Sequence, residues 1–537
     1  MDFNFGDLLD GIEGALPPDA PALLHGDRRI DWGDFSRFSN NLAAALRARG
    51  ARPGDKIALY LRNRPEYFVA LAACFKARLV HVNVNYRYVE DELHYLLDNA
   101  DAKFTVFGEE FAPLAERLRP RLPAVSHWLQ AGGSPAPFAE GLGALMEEGD
   151  GAPLGIPRSG EDLLFVYTGG TTGMPKGVMW PQASLWRALG GGGTILANRG
   201  AIPDSPETHV ANVKAFGPGA RQLVACPLMH GTGLFTAILN LVGGGASITL
   251  ESARFDPVEL FDAVERHAVQ ALVIVGDAFA KPMLHALDAN PGRWRLDSLK
   301  IAISSGVMWS REVKQGLLRH HAGMVLADMF SSSEAVGFGV SAASARSESS
   351  TAVFRVGEHC KVFTEDHQEV VPGSGEAGFI ARSGAIPLGY YKDPRKTAET
   401  FPVIGGVRYS APGDWCTVEA DGTLTLLGRG SVCINTAGEK VHPEEVEEAL
   451  KTHPDVEDAL VVGVPDEKWG QAVTAVVQLR TGAALDEDAL RRHAGGRLAR
   501  YKVPKRVLGV PEMFRAPNGK ADYKGALSFA REELGLQ

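Results

Sequence analysis

An α/β fold in two domains, one large and one small, is what this sequence of 537 residues predicts. Three observations carry that expectation. From Asp34 to Asp277, helical patterns alternate with short apolar runs, the order of a parallel sheet covered by helices. From Arg346 to Leu427 the pattern becomes short strands with Gly-rich turns, a β-rich subdomain of the large domain. Near Gly428 the regime changes once more, into a small α+β unit of about 110 residues, an ordinary size for a domain. The length alone exceeds what one hydrophobic core supports.

Each element has its own warrant. Phe35 to Arg49 is helical in period, and Lys56 to Leu61 (KIALYL) reads as a strand. Tyr67 to Arg78 is helical again, and Leu79 to Val84 is a second strand. Ala271 to Val275 (ALVIV) is apolar throughout and bounded by Gly276, the pattern of a parallel strand buried on both faces. In the small unit, Val441-His442-Pro443-Glu444-Glu445-Val446 opens a helix with Pro at the first helical position and acids in the first turn. Val446, Ala449 and Leu450 then give the i, i+3, i+4 spacing of a buried face. Ala459 to Val464 and Ala472 to Leu479 read as strands, Leu485 to Leu498 as a helix.

Composition narrows the class. Hydrophobic residues make up 45% and charged residues 22%, a globular mix and not a disordered one. The net charge of −10 argues against general nucleic-acid binding, which shows as a basic domain. Cys74, Cys226, Cys360, Cys416 and Cys433 are scattered and odd in number, so they read as thiols in a reducing compartment and not as a disulfide or zinc framework. The first twenty residues are acidic and show no secretory pattern. Gln222 to Leu250 carries no charged side chain, but Pro227, Gly231, Gly233 and Gly243 to Gly245 interrupt it before ~20 apolar residues accumulate. A cytoplasmic protein without an integral membrane segment is expected, with a homodimer allowed.

The segment richest in chemistry is Leu163-Leu-Phe-Val-Tyr-Thr168-Gly169-Gly170-Thr171-Thr172-Gly173-Met-Pro175-Lys176-Gly177. An apolar strand ends in hydroxyls and glycines, then a lysine. Glycines let a backbone approach an anion, hydroxyls add donors and lysine supplies a point charge. The spacing is not that of a Walker loop: Gly177, not Ser or Thr, follows Lys176, and Pro175 disfavours a helix starting there. A phosphate-gripping loop of another kind is expected.

With these residues the sequence resembles the adenylate-forming superfamily of acyl-CoA synthetases, peptide-synthetase adenylation domains and luciferases. YTGGTTGMPKG is that family's phosphate-loop signature, and the likeness runs in order along nearly the whole chain. The resemblance implies roles for Thr168 to Gly173 and Lys176 on the phosphates of ATP. Phe330-Ser331-Ser332-Ser333-Glu334 is similar to the aromatic-Gly-x-Thr-Glu motif, with Ser331 in place of glycine. It implies Phe330 against adenine, Ser333 toward phosphate and Glu334 on Mg²⁺. Gly413-Asp414 matches the pair that holds the ribose hydroxyls, without the family's Arg-Thr beside it, and Gly428-Arg429 matches the Gly-Arg that closes the large domain. Gly375 to Gly378, Gly389 to Pro394 and Thr397 resemble a scaffold block. Gly438-Glu439-Lys440 resembles the start of the small domain, near the thiol of coenzyme A in relatives, and Pro517-Asn518-Gly519-Lys520 resembles the motif of the catalytic lysine. Between them Arg491 to Arg506 holds seven basic residues and no acid, and Lys502 and Lys505 are candidates for coenzyme A phosphates. The resemblance further implies a mobile C-terminal domain, 431–537, swinging on Ser431 against an adenylation domain, 1–430.

His230 is implied as a gate by the acyl carboxylate. The acyl pocket is expected from Asp277 and Phe279, in the segment Val275 to Pro282, and from Ser304, Ser305, Gly306, Val307 and Met308. That segment lacks the Pro-Thr usual in relatives acting on short or aryl acids. Glycine runs at 190–193 and 243–245 leave room beside it, as in a bacterial branch acting on bulky hydrophobic acids. The expected reaction joins such an acid (long-chain, steroid side-chain or polycyclic terpenoid) to AMP and then to coenzyme A. An acyl-AMP ligase serving a carrier protein in trans is the alternative. A rival class is an α/β-hydrolase: His230-Gly-Thr-Gly233 resembles an oxyanion loop, and Ala302-Ile-Ser304-Ser-Gly306 is one residue from a nucleophile elbow. It leaves the phosphate loop and the Lys520 motif unexplained.

Overall fold

The computed structural model describes residues 2–536 except 169–173, 191–200, 308, 348–350, 437–438, 467–468, 499 and 516–518. The side chains of Arg429, Ser431, Asn435, Glu439 and Lys440 also lie outside the description. Two compact units result: residues 1–350 with 383–410, and residues 351–382 with 411–537.

The first unit holds two largely parallel sheets. In one, six strands run parallel in the spatial order Val325–Phe330, Ile301–Ser305, Ala271–Ile274, Arg221–Val224, Ala246–Thr249 and Pro21–His25. In the other, Leu163–Thr168, Val80–Asn83, Lys56–Tyr60, Ala102–Gly108, His127–Ala131 and Glu140–Gly141 are parallel, with Lys176–Pro181 and Gly389–Tyr390 added antiparallel at one edge. The expected α/β architecture is present, and ALVIV is a strand buried at every position.

The helix Pro65–Lys76 explains how the two sheets share a core. All twelve of its residues are buried, and it touches strands of both sheets. A helix apolar on every side belongs inside a protein, and this one is apolar except at its ends. Lys76 is tolerated there because its ammonium donates to Glu13 at 2.6 Å and to Ser39 and Asn40 at 2.7 Å each. Burial still pushes the Glu13 carboxyl up, against the pull of Lys76.

The second unit begins as an antiparallel sheet in the order Cys360–Phe363, Ala377–Arg382, Asp414–Val418, Thr423–Arg429 and Val353–Val356. A further sheet is built on the long pair Val456–Asp466 and Gly470–Leu479, with Arg506–Val510 parallel to the latter. The helices Pro443–Lys451, Glu487–Gly495 and Tyr523–Glu533 accompany it. Pro443 starts its helix as expected, with Glu444 and Glu445 in the first turn.

Gly430, beside the expected pivot Ser431, does not take a φ in the left-handed region. A Cβ at 430 would lie 2.4 Å from the Trp415 indole nitrogen, so close approach explains the glycine. The unusual backbone belongs to Gly428, at φ +113°, where a Cβ would overlap the Glu444 carboxylate. Ser431 follows in the short 3-10 turn Gly430–Val432, inside the second unit.

Candidate active site

The site residues of the first unit lie where parallel strands end. Open α/β sheets bind ligands beyond the carboxyl ends of their strands, because helix N-termini and turn amides gather there. Phe330 ends one such strand and Ser305 another, while Asp277 follows a third. Thr168 ends a strand of the second sheet.

The glycine-rich segment connects two antiparallel strands. Thr168 and Lys176 are paired residues of that hairpin, and Gly169, Gly170, Thr171, Thr172 and Gly173 lie outside the described residues. No helix follows the lysine, which agrees with the reading of Pro175. An anion at this hairpin would meet the cation of Lys176, with no helix following it to add a dipole. Lys176 forms an ion pair with Asp393, whose carboxyl that contact holds below the usual range.

Asn83, which the sequence reading passed over, ties this hairpin to the His230 segment. Its side-chain amide donates to the Tyr167 carbonyl at 3.1 Å and to the Met229 carbonyl at 2.5 Å. Its oxygen accepts from the Tyr167 N–H at 2.6 Å. A fully bonded, buried amide fixes both partners, since an unmet polar group there is costly. Its signal was an amide near the end of a strand buried at every position.

His230 is the N-cap residue of the helix Gly231–Val242, and its own side chain does not cap it. That leaves a helix N-terminus with a favourable partial charge for a carboxylate. Thr232 donates to the Ser305 carbonyl at 3.3 Å, and a Cβ at Gly231 would lie 3.7 Å from the Ser333 hydroxyl. His230, Ser305 and Ser333 therefore share one neighbourhood.

Glu334 is held at both ends. The Tyr390 hydroxyl donates to its carboxylate at 2.8 Å, and the Ser410 hydroxyl donates to its carbonyl at 2.7 Å. The preceding carbonyl, of Ser333, accepts from the Trp180 indole at 2.8 Å. Tyr390, Glu334 and Ser410 are all buried. Among the described residues no group of three or more His, Cys, Asp or Glu could hold a metal ion by itself. A single fixed carboxylate fits a hard cation that arrives already coordinated by phosphates, as Mg²⁺ does.

Phe330 is buried with its ring 5.2 Å from that of Phe338. Beneath it on the same strand, Asp328 pairs with Lys314 at 3.1 Å, both buried. Burial pushes the Asp328 carboxyl up to about 6 despite the ammonium.

The expected acyl-pocket residues divide. Ser305 and Gly306 lie beside Thr232, and Gly306 takes φ +90°, a conformation that favours glycine. Val307 is half-buried, Phe279 packs its ring 4.7 Å from Phe255, and Met308 lies outside the described residues. Ser304 is fully buried and accepts from the Gly276 N–H at 2.8 Å, and Asp277, half-buried, accepts from the Ser310 N–H at 3.0 Å. A buried serine so engaged is no exposed nucleophile, which disposes of the hydrolase.

In the second unit, Asp414 and Arg429 are paired across adjacent antiparallel strands, and Asp414 is buried. Lys502 forms an ion pair with Glu445 at 2.6 Å, and the Lys505 ammonium lies 5.0 Å from the centre of the Trp469 ring. Lys520 is exposed. Gly438 and the side chains of Glu439 and Lys440 lie outside the described residues.

A large parallel α/β part with strand-end hydroxyls and a fixed carboxylate, followed by a smaller α+β part, defines the fold of an adenylate-forming enzyme. The chain belongs to the AMP-binding enzyme family, which matches residues 13–391, with the C-terminal domain of AMP-binding enzymes matching 445–520. It is 39% identical to a 3-oxocholest-4-en-26-oate–CoA ligase of Rhodococcus rhodochrous, over 100% of this chain and 97% of that one. A medium/long-chain-fatty-acid–CoA/3-oxocholest-4-en-26-oate–CoA ligase of Mycolicibacterium smegmatis is 40% identical, over 99% of this chain and 97% of its own. Among solved structures, the anthranilate CoA ligase AuaEII in complex with anthranoyl-AMP matches with a TM-score of 0.85 at 22% identity, over 99% of this chain and 98% of that one. No described helix is long and apolar enough to cross a membrane.

Proposed function

We propose that this protein is an ATP-dependent acyl-CoA synthetase for bulky hydrophobic carboxylic acids, steroid side-chain or long-chain. The observation that carries the reading is the joining of Thr168, His230, Ser305, Ser333 and Glu334 in one unit by Asn83, Thr232, Trp180 and Tyr390. Full-length likeness to ligases of steroid and fatty acids supports the substrate class.

In the first half-reaction the acid's carboxylate oxygen attacks the α-phosphorus of ATP, and the bond to pyrophosphate breaks. Thr168, Ser333 and Lys176 bind and orient phosphate oxygens, Lys176 leaving Asp393 to do so. Glu334 would hold Mg²⁺, which neutralises phosphate charge when bound. Phe330 faces adenine, and Asp414 and Arg429 take the ribose. His230 and the open end of its helix orient the acid, while Lys520 stabilises charge on the oxygens in flight. In the second half-reaction the thiol of coenzyme A attacks the acyl carbon and AMP departs. That step needs positioning more than proton transfer. Lys502 and Lys505 are proposed for the phosphates of coenzyme A, with Gly438, Glu439 and Lys440 beside its thiol. Segments 1–430 and 431–537 are proposed as the functional domains, with Ser431 the pivot.

Lys520→Ala tests the assignment of roles. Adenylate formation should fall by orders of magnitude, with thioester formation from supplied acyl-AMP near normal. Equal loss of both halves would contradict it.

A further inference from the structure

Lys520 is exposed, and the direction in which its side chain leaves the backbone is set by the peptide that carries it. A residue that acts on a transition state needs its backbone peptide held in place. The peptide that carries it is held from one side by Arg515. One guanidinium nitrogen, Nη1, donates to the carbonyl of Gly519 at 3.0 Å, the residue directly before Lys520. The other two donate to the Asp458 carboxylate, Nε to Oδ2 at 2.5 Å and Nη2 to Oδ1 at 2.8 Å. This is the paired fork of a bidentate contact, which fixes orientation as well as distance.

Backbone bonds tie the residues on either side of this peptide together. Arg515 and Ala521 form a β-bridge, and the Asp522 N–H donates to the Phe514 carbonyl at 2.9 Å. Gly519 is buried at φ +79°, a backbone conformation that favours glycine. Asp458 lies on the long strand Val456–Asp466, and Lys451 approaches it at 3.8 Å. Charge balance and strand register thus set the guanidinium, and the guanidinium sets the 519–520 peptide.

We propose that Arg515, oriented by Asp458, is a positioning residue for Lys520. It touches no reacting atom. It holds the direction in which the Lys520 side chain leaves the backbone. The proposal rests on the reading that Lys520 acts in adenylation.

Arg515→Lys keeps the charge and loses the fork. It should be assayed with Lys520 present and in the Lys520→Ala background, for acid-dependent pyrophosphate release, for thioester formation from supplied acyl-AMP, and for thermal midpoint. A displacement of about 1 Å costs on the order of 100-fold. We expect kcat for adenylation to fall by about 10- to 100-fold at unchanged KM for the acid. Thioester formation should be retained, and the substitution should add no loss to Lys520→Ala. Asp458→Asn, which preserves volume, should give the same pattern and serves where Arg515→Lys lowers the thermal midpoint. Adenylation at wild-type rate in both variants overturns the proposal. So do losses that multiply with Lys520→Ala, because a residue acting through Lys520 has nothing to act on once it is gone. Adenylation surviving in Lys520→Ala alone overturns the reading of Lys520, and the positioning role with it.

Discussion

Removing the Tyr390 hydroxyl isolates one contact of the carboxylate proposed to hold Mg²⁺. Tyr390→Phe keeps the ring, which packs edge-on 5.9 Å from Phe401, and deletes the hydrogen bond of 2.8 Å to the Glu334 carboxylate. Both residues are buried, and a hydrogen bond to a charged acceptor contributes roughly 1.5–3 kcal/mol. The part of this that acts on metal affinity is the orientation of the carboxylate, and loss of such an outer partner costs about 10–100-fold. We expect the Mg²⁺ concentration for half-maximal pyrophosphate release to rise by about tenfold. The rate at saturating Mg²⁺ should be nearly restored, and calorimetry should show weaker binding of ATP with Mg²⁺ to the free enzyme. An unchanged Mg²⁺ dependence with a lowered thermal midpoint would refute this reasoning, by showing that the hydroxyl serves packing alone.

Three further outcomes follow from the second unit. Proline at 431 fixes φ near roughly −65° and resists one of two arrangements at a pivot. Ser431→Pro should keep substantial pyrophosphate release, lose most thioester formation and accumulate acyl-AMP; both halves at wild-type rate would place the pivot elsewhere. Burial pushes the Glu447 carboxyl up to about 7, although Lys451, the Val461 N–H, Arg515 and Tyr523 all favour its charged form. A raised acid contributes stability that is complete below its unfolded pKa and is lost as pH rises through about 7. The thermal midpoint should therefore fall between pH 5 and 8 by less in Glu447→Gln than in the wild type, as differential scanning would measure. Gly428→Ala forces φ +113° on a residue with a Cβ and displaces Glu444, so denaturant unfolding should show a loss of about 1–3 kcal/mol.

The sequence made local geometry legible and left long-range pairing hidden. Runs such as ALVIV and KIALYL specify strands by composition alone, and Pro443 with two acids specifies a helix start. The strand before Thr168 was legible, and Pro175 correctly excluded a helix after Lys176. That Thr168 and Lys176 face each other across a hairpin was not, because pairing is decided by the sheet that receives both strands. Asn83 and Met229 are 146 residues apart in sequence, Tyr390 and Glu334 are 56 apart, and nothing local connects them. Ser304 shows the same limit in reverse. Its motif suggested a pocket or a nucleophile, whereas tertiary packing turned its hydroxyl onto the backbone of Gly276. Nothing local marks Gly430 as a point of close approach, and only the position of the Trp415 indole reveals that a Cβ there would not fit.

The central claim is that the chain activates a bulky hydrophobic acid and passes it to coenzyme A. Its most direct measurement is kcat/KM for ATP- and coenzyme A-dependent thioester formation across acids of graded size, from acetate and benzoate through long-chain fatty acids to a steroid side-chain carboxylate. Apolar surface removed from water contributes about 25 cal/mol per Å², so kcat/KM should climb with size to a maximum at the long-chain or steroid acids. Acetate or benzoate turning over better than every large acid, or no thioester from any of them, would contradict the claim.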